Sequence, residues 1–313
     1  MDRRRFLQLA ATNMMAAPLL PGALSALSDS AHAEGVQDKD DMLMIDSHVH
    51  VWKIDPKFPF SPERKPPTED ATVEMVMDMM KANGISRTVL IQMIYYKWDN
   101  SYIADVLKRY PGQFHGVARV NPEDPAAPDH LERLVKEDGF SGVRISPYTA
   151  EKYDWIKGPL MPPLWKKCAD LNSVMTVLTE APRLPQLIPL IEANPDLTVV
   201  IDHMADVALD DEQGLKDLLA LARYPKVYLK ISHLWKISKQ PYPYNDSMDR
   251  LKVVYDAFGP KKLMWGTDWP VSGKWLTYPQ AVQLYREHLS FMPKEDQAQI
   301  LGKTVQEVWP FGL

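Results

Sequence analysis

The sequence has almost no cysteine, no long apolar segment and no excess of positive charge. A single cysteine, Cys168, excludes an intramolecular disulfide. Because no motif that would give it a partner lies nearby, we expect Cys168 to be a small, buried, apolar residue. No uninterrupted apolar stretch reaches the roughly 20 residues that a stable transmembrane helix needs. The formal net charge is −5, and basic residues cluster only at the N-terminus. A nucleic-acid-binding surface is therefore not expected.

The N-terminal residues resemble an export signal rather than part of a fold. Arg3 and Arg4, with Phe6 and Leu7 behind them, match the twin-arginine signal, and Ala31-His32-Ala33 has the small-x-small pattern of a cleavage site. The alternatives are an amphipathic N-terminal helix and a retained anchor. This reading places the protein in the periplasm or outside the cell, carried by the machinery that exports folded proteins. It divides the chain into a signal peptide, a linker and one domain at residues 1–33, 34–41 and 42–313.

Short apolar runs alternate with helical patterns along the rest of the chain. The runs are nearly continuous in apolar character, which is typical of parallel strands buried on both faces, and their spacing leaves room for one helix each. The strand and helix patterns alternate eight times, and the amino-acid composition does not change along these residues as it would at a second domain. This predicts a single (β/α)8 barrel of the TIM type, with an open doubly wound sheet as the alternative. The predicted strands are residues 42–45, 88–94, 115–120, 142–146, 174–178, 198–202, 227–231 and 262–265.

The segment DSHVHVW follows the first of these runs and carries His48 and His50. Residues two apart on an extended chain face the same side, so both imidazoles can point into the barrel mouth, where the active sites of such barrels lie. His203 follows the sixth run and Asp268 the eighth, which completes a set of nitrogen and oxygen donors suited to zinc. The alternative is that these are polar strand-end residues satisfied by hydrogen bonds.

Five segments resemble the amidohydrolase superfamily, in particular its amidohydrolase-related branch of lactonases and non-oxidative decarboxylases. They are MIDSHVHVW, GVRIS, TVVIDHMAD, VYLKISHL and LMWGTDWPV, they occur in the order of that family, and they span nearly all of residues 42–313. Within the branch, the chain is most similar to sugar-lactone and dicarboxylate-lactone hydrolases. The resemblance implies the barrel fold and a hydrolytic or decarboxylating enzyme.

The resemblance also implies roles for individual residues. His48, His50, His203 and Asp268 take metal-ligand and base positions, with Asp268 and His203 as the catalytic pair. The resemblance further implies that Arg144 would bind a substrate carboxylate with its planar guanidinium and that Gln92 after the second strand belongs to the substrate site. Two further candidates follow from their positions at the predicted barrel mouth: Tyr95 in a mouth loop, and His233, either a substrate contact or a satisfied polar residue.

One departure from the family pattern concerns the metal. Metal-dependent members carry a histidine at the end of the fifth strand, whereas no histidine occurs here between His130 and His203. No lysine ends the fourth strand, so a bridging carboxylated lysine is not available there. A binuclear centre is not expected. One divalent ion, zinc or manganese, and a metal-free site both remain open.

Two reactions and one non-catalytic role follow. In a lactonase, Asp268 takes a proton from the attacking water and returns it to the leaving alkoxide, while the histidines support the developing oxyanion. A decarboxylase on the same barrel depends more on the metal, so the missing histidine favours the lactonase. An exported binding protein for small molecules is the third reading, and retention of all four predicted ligands favours an enzyme.

Overall fold

The computed structural model describes residues 42–148 and 154–313. The signal peptide and linker predicted for residues 1–41 lie outside these ranges. Within the described residues, no helix combines the length and apolar character that crossing a membrane requires.

Eight parallel strands follow one another in chain order around a nearly closed barrel, as predicted. Between β1 and the segment after β8, the main chain supplies the closing contacts: the Asp268 amide donates to the His48 carbonyl at 2.9 Å, and the His50 amide donates to the Trp269 carbonyl at 2.8 Å. These bonds exclude the open doubly wound sheet. The strands are β1 (Ile45–Val49), β2 (Arg87–Ile91), β3 (Phe114–Ala118), β4 (Gly142–Ile145), β5 (Val174–Val177), β6 (Val199–Ile201), β7 (Val227–Lys230) and β8 (Leu263–Met264).

The first strand differs from its predicted position. We expected it at residues 42–45, with DSHVHVW at its end, whereas β1 spans Ile45–Val49 and includes His48. The predicted bounds were wrong because they followed apolar character, while this strand carries buried polar side chains. All five residues of β1 are buried.

Helices cover the outside of the barrel. The first begins where the Thr72 hydroxyl accepts from the Met75 amide and ends at Gly84, which caps the helix with a φ of 69°. The helices are α1 (Val73–Asn83), α2 (Ser101–Arg109), α3 (Ala127–Lys136), α4 (Met161–Asp170), α5 (Leu184–Ala193), α6 (Glu212–Ala220), α7 (Leu234–Ile237), α8 (Met248–Phe258), α9 (Tyr278–His288), α10 (Lys294–Ala298) and α11 (Thr304–Val308).

The core has two parts. The larger part lies between the strands and the helices and includes Cys168, where burial raises the thiol pKa to about 12, so the cysteine is an apolar core residue as expected. The smaller part fills the barrel interior and is joined by Trp309 and Phe311 from the C-terminal segment. Because apolar side chains fill this part of the interior, the polar groups gather at its other end.

Candidate active site

A cavity of about 680 Å³ opens at the carboxyl ends of the strands. His48 is fully buried, in contact with residues that line the cavity. The structure therefore brings most of the sequence-predicted site residues together, although they come from five different strand ends. Those that line the cavity are His50, Arg144, His203, His233 and Asp268.

Two predicted substrate residues lie elsewhere. The Gln92 side chain is fully buried and bonds the backbone at both ends, since its Nε2 donates to the Asp99 carbonyl at 2.6 Å and its Oε1 accepts from the Met93 amide at 2.8 Å. The Tyr95 ring packs edge-on against Trp52, with ring centroids 5.3 Å apart. In the part of the chain that the structure describes, neither residue lines the cavity. Both shape the loop after β2.

His48, His50 and Asp268 form a compact group of donor atoms. Nε2 of His48 lies 3.2 Å from Nε2 of His50, and Oδ1 of Asp268 lies 3.5 and 3.2 Å from these two nitrogens. Ligands about 2.0–2.1 Å from a tetrahedral zinc ion are separated from each other by roughly 3.3 Å. The three atoms therefore fit one face of a divalent metal's coordination shell.

His203 is not a fourth donor around the same point as His48, His50 and Asp268. It belongs to two other groups of donor atoms, each of which shares one residue with this group. The described residues contain three overlapping triads with donor atoms within 4.8 Å of one another. They are His48, His50 and Asp268; His48, Asp202 and His203; and His203, His233 and Asp268. At the end of β5, where a histidine is lacking, the Thr179 hydroxyl donates to the Pro147 carbonyl at 2.7 Å.

An unusual left-handed turn follows β6 and places two site residues. Residues 203–206 all have positive φ, between 49° and 54°, and none is glycine. His233 and Asp268 also have positive φ, at 68° and 56°. A left-handed conformation costs a non-glycine residue roughly 1–2 kcal/mol, and such strain concentrates at functional sites. The turn brings the side chains of His203 and Asp206 to the same wall of the cavity.

His233 bridges two carboxylates. Its Nδ1 lies 2.7 Å from Oδ1 of Asp206 and its Nε2 lies 2.8 Å from Oδ2 of Asp268, while its ring stacks on His203 at 3.4 Å between centroids. Burial alone would lower the pKa of His233, but the two carboxylates outweigh it and raise the pKa to about 9. Burial would likewise raise the pKa of Asp268, but the neighbouring His233 holds it well below its usual range. Asp268 is therefore ionised at neutral pH.

Beneath these groups lies a buried charge network. Oδ2 of Asp202 accepts from Nε of Arg144 at 2.9 Å, and Oδ1 of Asp202 lies 3.1 Å from Nζ of Lys230. Burial opposes ionisation of Asp202, but Lys230, His48 and Arg144 hold its pKa well below the usual range. Lys230, which is fully buried, was not among the predicted site residues. A lysine inside an otherwise apolar predicted strand was the signal that could have revealed it.

Asp46 fixes the loop after β8 against β1. Its carboxylate accepts from the backbone amides of His48 and Thr267 at 3.1 and 3.0 Å, from the Thr267 hydroxyl at 2.6 Å and from the Tyr278 hydroxyl at 3.0 Å. Burial raises the pKa of Asp46 to about 6 even though these four hydrogen bonds lower it. This arrangement holds the backbone of both His48 and the residue before Asp268.

A second arginine lines the cavity and was also missed. Arg119 follows β3, and because Ala118 pairs with Val143 in the sheet, Arg119 lies level with Arg144 on the neighbouring strand. Its Nη1 donates to the Ser146 hydroxyl at 3.0 Å, and its guanidinium lies 5.5 Å from the centre of the Trp98 ring. A basic residue near the end of a predicted strand was the available signal. The cavity thus has two buried guanidinium groups on one side.

Three comparisons relate the chain to known proteins. The family described as Amidohydrolase matches residues 45–311. L-fucono-1,5-lactonase of Burkholderia ambifaria is 28% identical over 257 residues, covering 75% of this chain and 86% of that protein. 2-Pyrone-4,6-dicarboxylate hydrolase of Comamonas testosteroni is 29% identical over 238 residues, covering 72% and 76%. The crystal structure of a Burkholderia multivorans amidohydrolase with bound zinc has a TM-score of 0.71 at 20% identity, covering 86% of this chain and 99% of the other. That likeness shows the shared fold.

Proposed function

Because the chain belongs to the amidohydrolase family, we propose that it is a hydrolase that opens a carboxylate-bearing or sugar-derived lactone. The single observation that carries this proposal is the ionised Asp268 carboxylate on the cavity wall with imidazoles of His50 and His233 beside it. Such a carboxylate can orient a water molecule and accept its proton as the water attacks a lactone carbonyl. The relatives named for lactone hydrolysis support this choice of reaction.

The reaction proceeds through groups already in place. Asp268 takes the proton of the attacking water and, once protonated, returns it to the ring oxygen that leaves as an alkoxide. His203 on the cavity wall and His48 beside it supply hydrogen bonds to the developing oxyanion. A zinc or manganese ion held by His48, His50 and Asp268 would add Lewis-acid polarisation of the carbonyl when it is bound. His233, held between two carboxylates, orients Asp268.

Two arginines support an anionic substrate. Arg144 and Arg119 lie level on adjacent strands, and both guanidinium groups face the cavity. A planar guanidinium binds a carboxylate through two parallel hydrogen bonds, which favours a carboxylate-bearing lactone over a neutral sugar lactone. One relative is named for a dicarboxylate and the other for a sugar lactone, so both classes belong in the assay.

The test is a lactone panel with purified mature protein, assayed with and without chelator beside elemental analysis. We expect turnover of at least one carboxylate-bearing lactone, and loss of that turnover in Asp268→Asn. The metal content and the effect of chelator then decide whether zinc or manganese takes part. Ligand binding without turnover of any lactone would refute the proposal and favour the binding protein.

We also propose that the protein is exported in folded form to the periplasm, because Arg3 and Arg4 match the twin-arginine signal. Replacing both by lysine, which keeps the charge, tests this by cell fractionation. We expect the double variant to remain in the cytoplasm with residues 1–33 uncleaved. An unchanged periplasmic fraction would contradict the proposal.

A further inference from the structure

Lys230 lies beneath the imidazole of His48. Its Nζ is 3.1 Å from Nδ1 of His48 and 3.1 Å from Oδ1 of Asp202, and the two partner atoms are 3.4 Å apart. Of these three contacts, the one between Lys230 and His48 has the geometry of a hydrogen bond. Oδ1 of Asp202 faces both groups as an ion-pair partner. All three side chains are fully buried, so water does not compete for these positions.

The chemistry of the donors fixes where the protons lie. A lysine ammonium has three N–H donors and no acceptor, so Nδ1 of His48 must accept this hydrogen bond. A neutral imidazole carries one proton, and in His48 that proton must then be on Nε2. The adjacent histidine has the opposite pattern. Nδ1 of His50 lies 2.7 Å from the carbonyl oxygen of Ile91, which can only accept, so His50 carries its proton on Nδ1.

The contact between the two rings agrees with both assignments. Nε2 of His48 and Nε2 of His50 are 3.2 Å apart, a distance that suits one donor and one acceptor. Donation then runs in one direction, from the Lys230 ammonium to His48, from His48 to His50, and from His50 to the Ile91 carbonyl. His48 and His50 are therefore not equivalent.

We propose that Lys230 is a positioning residue that holds His48 in the tautomer with its proton on Nε2. In this state Nε2 of His48 is a hydrogen-bond donor, to His50 in the free site and to a substrate's carbonyl oxygen that replaces this contact, whereas His50 and Asp268 present lone pairs. For Nε2 of His48 to bind a metal, its proton must move to Nδ1, where Oδ1 of Asp202 can accept it. Lys230 opposes this change because its ammonium already bonds the same nitrogen. Lys230 thus favours a site in which His48 donates a hydrogen bond over one in which His48 coordinates a metal.

The direct test is the tautomer of His48 in solution. Long-range ¹H–¹⁵N spectra of metal-free protein with ¹⁵N-labelled histidine distinguish the two tautomers, and loss of signals in His48→Asn identifies the residue. We expect His48 with its proton on Nε2 and His50 with its proton on Nδ1. A proton on Nδ1 of His48 would overturn the proposal. No substrate is involved, so this result is independent of whether the protein is a lactonase.

Lys230→Met gives a second test because it keeps the chain length and removes the donor. We expect the His48 proton to move to Nδ1, facing Asp202, and the affinity for zinc, measured by competition with a chelating dye, to rise about tenfold. Lys252→Met on α8, an exposed lysine, is the matched control and should change neither quantity. An unchanged tautomer and unchanged zinc affinity in a folded Lys230→Met would contradict the proposal. If that variant does not fold, the wild-type spectrum alone decides.

Discussion

Asp268 is the residue on which the proposed reaction depends most. Its carboxylate is nearly the same size as an amide, so Asp268→Asn keeps the volume of the side chain and removes the proton acceptor. We expect kcat for lactone opening to fall about 10³-fold or more, since both the general-base and the general-acid step are lost. Asp249→Asn, at an exposed position on α8, is the control and should retain full activity. Substantial residual turnover in Asp268→Asn would assign the base to another group.

His233 links stability to alkaline pH. Its pKa is raised to about 9 in the folded protein, against about 6.5 in an unfolded chain. The stabilisation is complete below pH 6.5, where both states are protonated, and is lost as the pH rises through 9. The two pKa values correspond to about 3 kcal/mol of unfolding free energy. Urea unfolding of metal-free protein at pH 6.5, 8 and 9.5 measures this loss, and His233→Gln should reduce it. Equal pH dependence in both proteins would contradict the assignment.

At the scale of elements, the sequence predicted strands well where they are apolar and poorly where they carry the site. Strands β5 and β7 begin at the predicted residues because Val, Met and Leu are buried on both faces there. The first strand was misplaced because Asp46 and His48 inside it are polar yet buried. The same emphasis on apolar character concealed Lys230. The apolar pattern that predicts strands thus fails at polar residues within a barrel strand, and these same residues belong to the site.

The chain between α10 and α11 packs through Gly302 against Leu43, just before β1. A Cβ atom on Gly302 would lie 2.1 Å from the carbonyl oxygen of Leu43, so Gly302→Ala requires the backbone to move. We expect it to lower the free energy of unfolding by about 3 kcal/mol, at the upper end of overpacking effects. Gly273→Ala is a matched control because no other atom lies within 4 Å of its Cβ position. Thermal and urea unfolding of both variants measure the difference, and equal stability would show that the segment adapts.

At the scale of the molecule, barrel closure explains which parts of the site the sequence could reveal. Strand order alone places residues that follow β1, β6 and β8 around one opening, so His50, His203 and Asp268 could be grouped from their positions in the chain. The partners of His233 could not be identified from their positions in the chain. Its contact with Asp206 depends on the left-handed turn at residues 203–206, and no glycine marks that turn. Sequence periodicity carries no information about such a conformation.

The buried ionisable groups make the whole barrel sensitive to acid. Asp202, Asp268, His48 and His203 all have pKa values held well below their usual range, so the folded state binds fewer protons than the unfolded chain. Their stabilisation is lost as the pH falls, first for the histidines below about 6.5 and then for the carboxylates below about 4. Asp46, with its pKa raised to about 6, acts in the opposite direction and favours the folded state at lower pH.

Between pH 6 and 4.5 the two histidines therefore bind more protons in the unfolded chain than in the folded protein, and Asp46 offsets part of this difference. From these groups, the unfolding free energy of metal-free protein should fall as the pH falls through this range. Asp46→Asn removes the opposing group, so its slope should be steeper, although the variant is less stable at every pH. Urea unfolding at pH 6, 5.5, 5 and 4.5 measures both slopes. Parallel slopes would show that Asp46 is already ionised across this range and that burial is outweighed by its four hydrogen bonds.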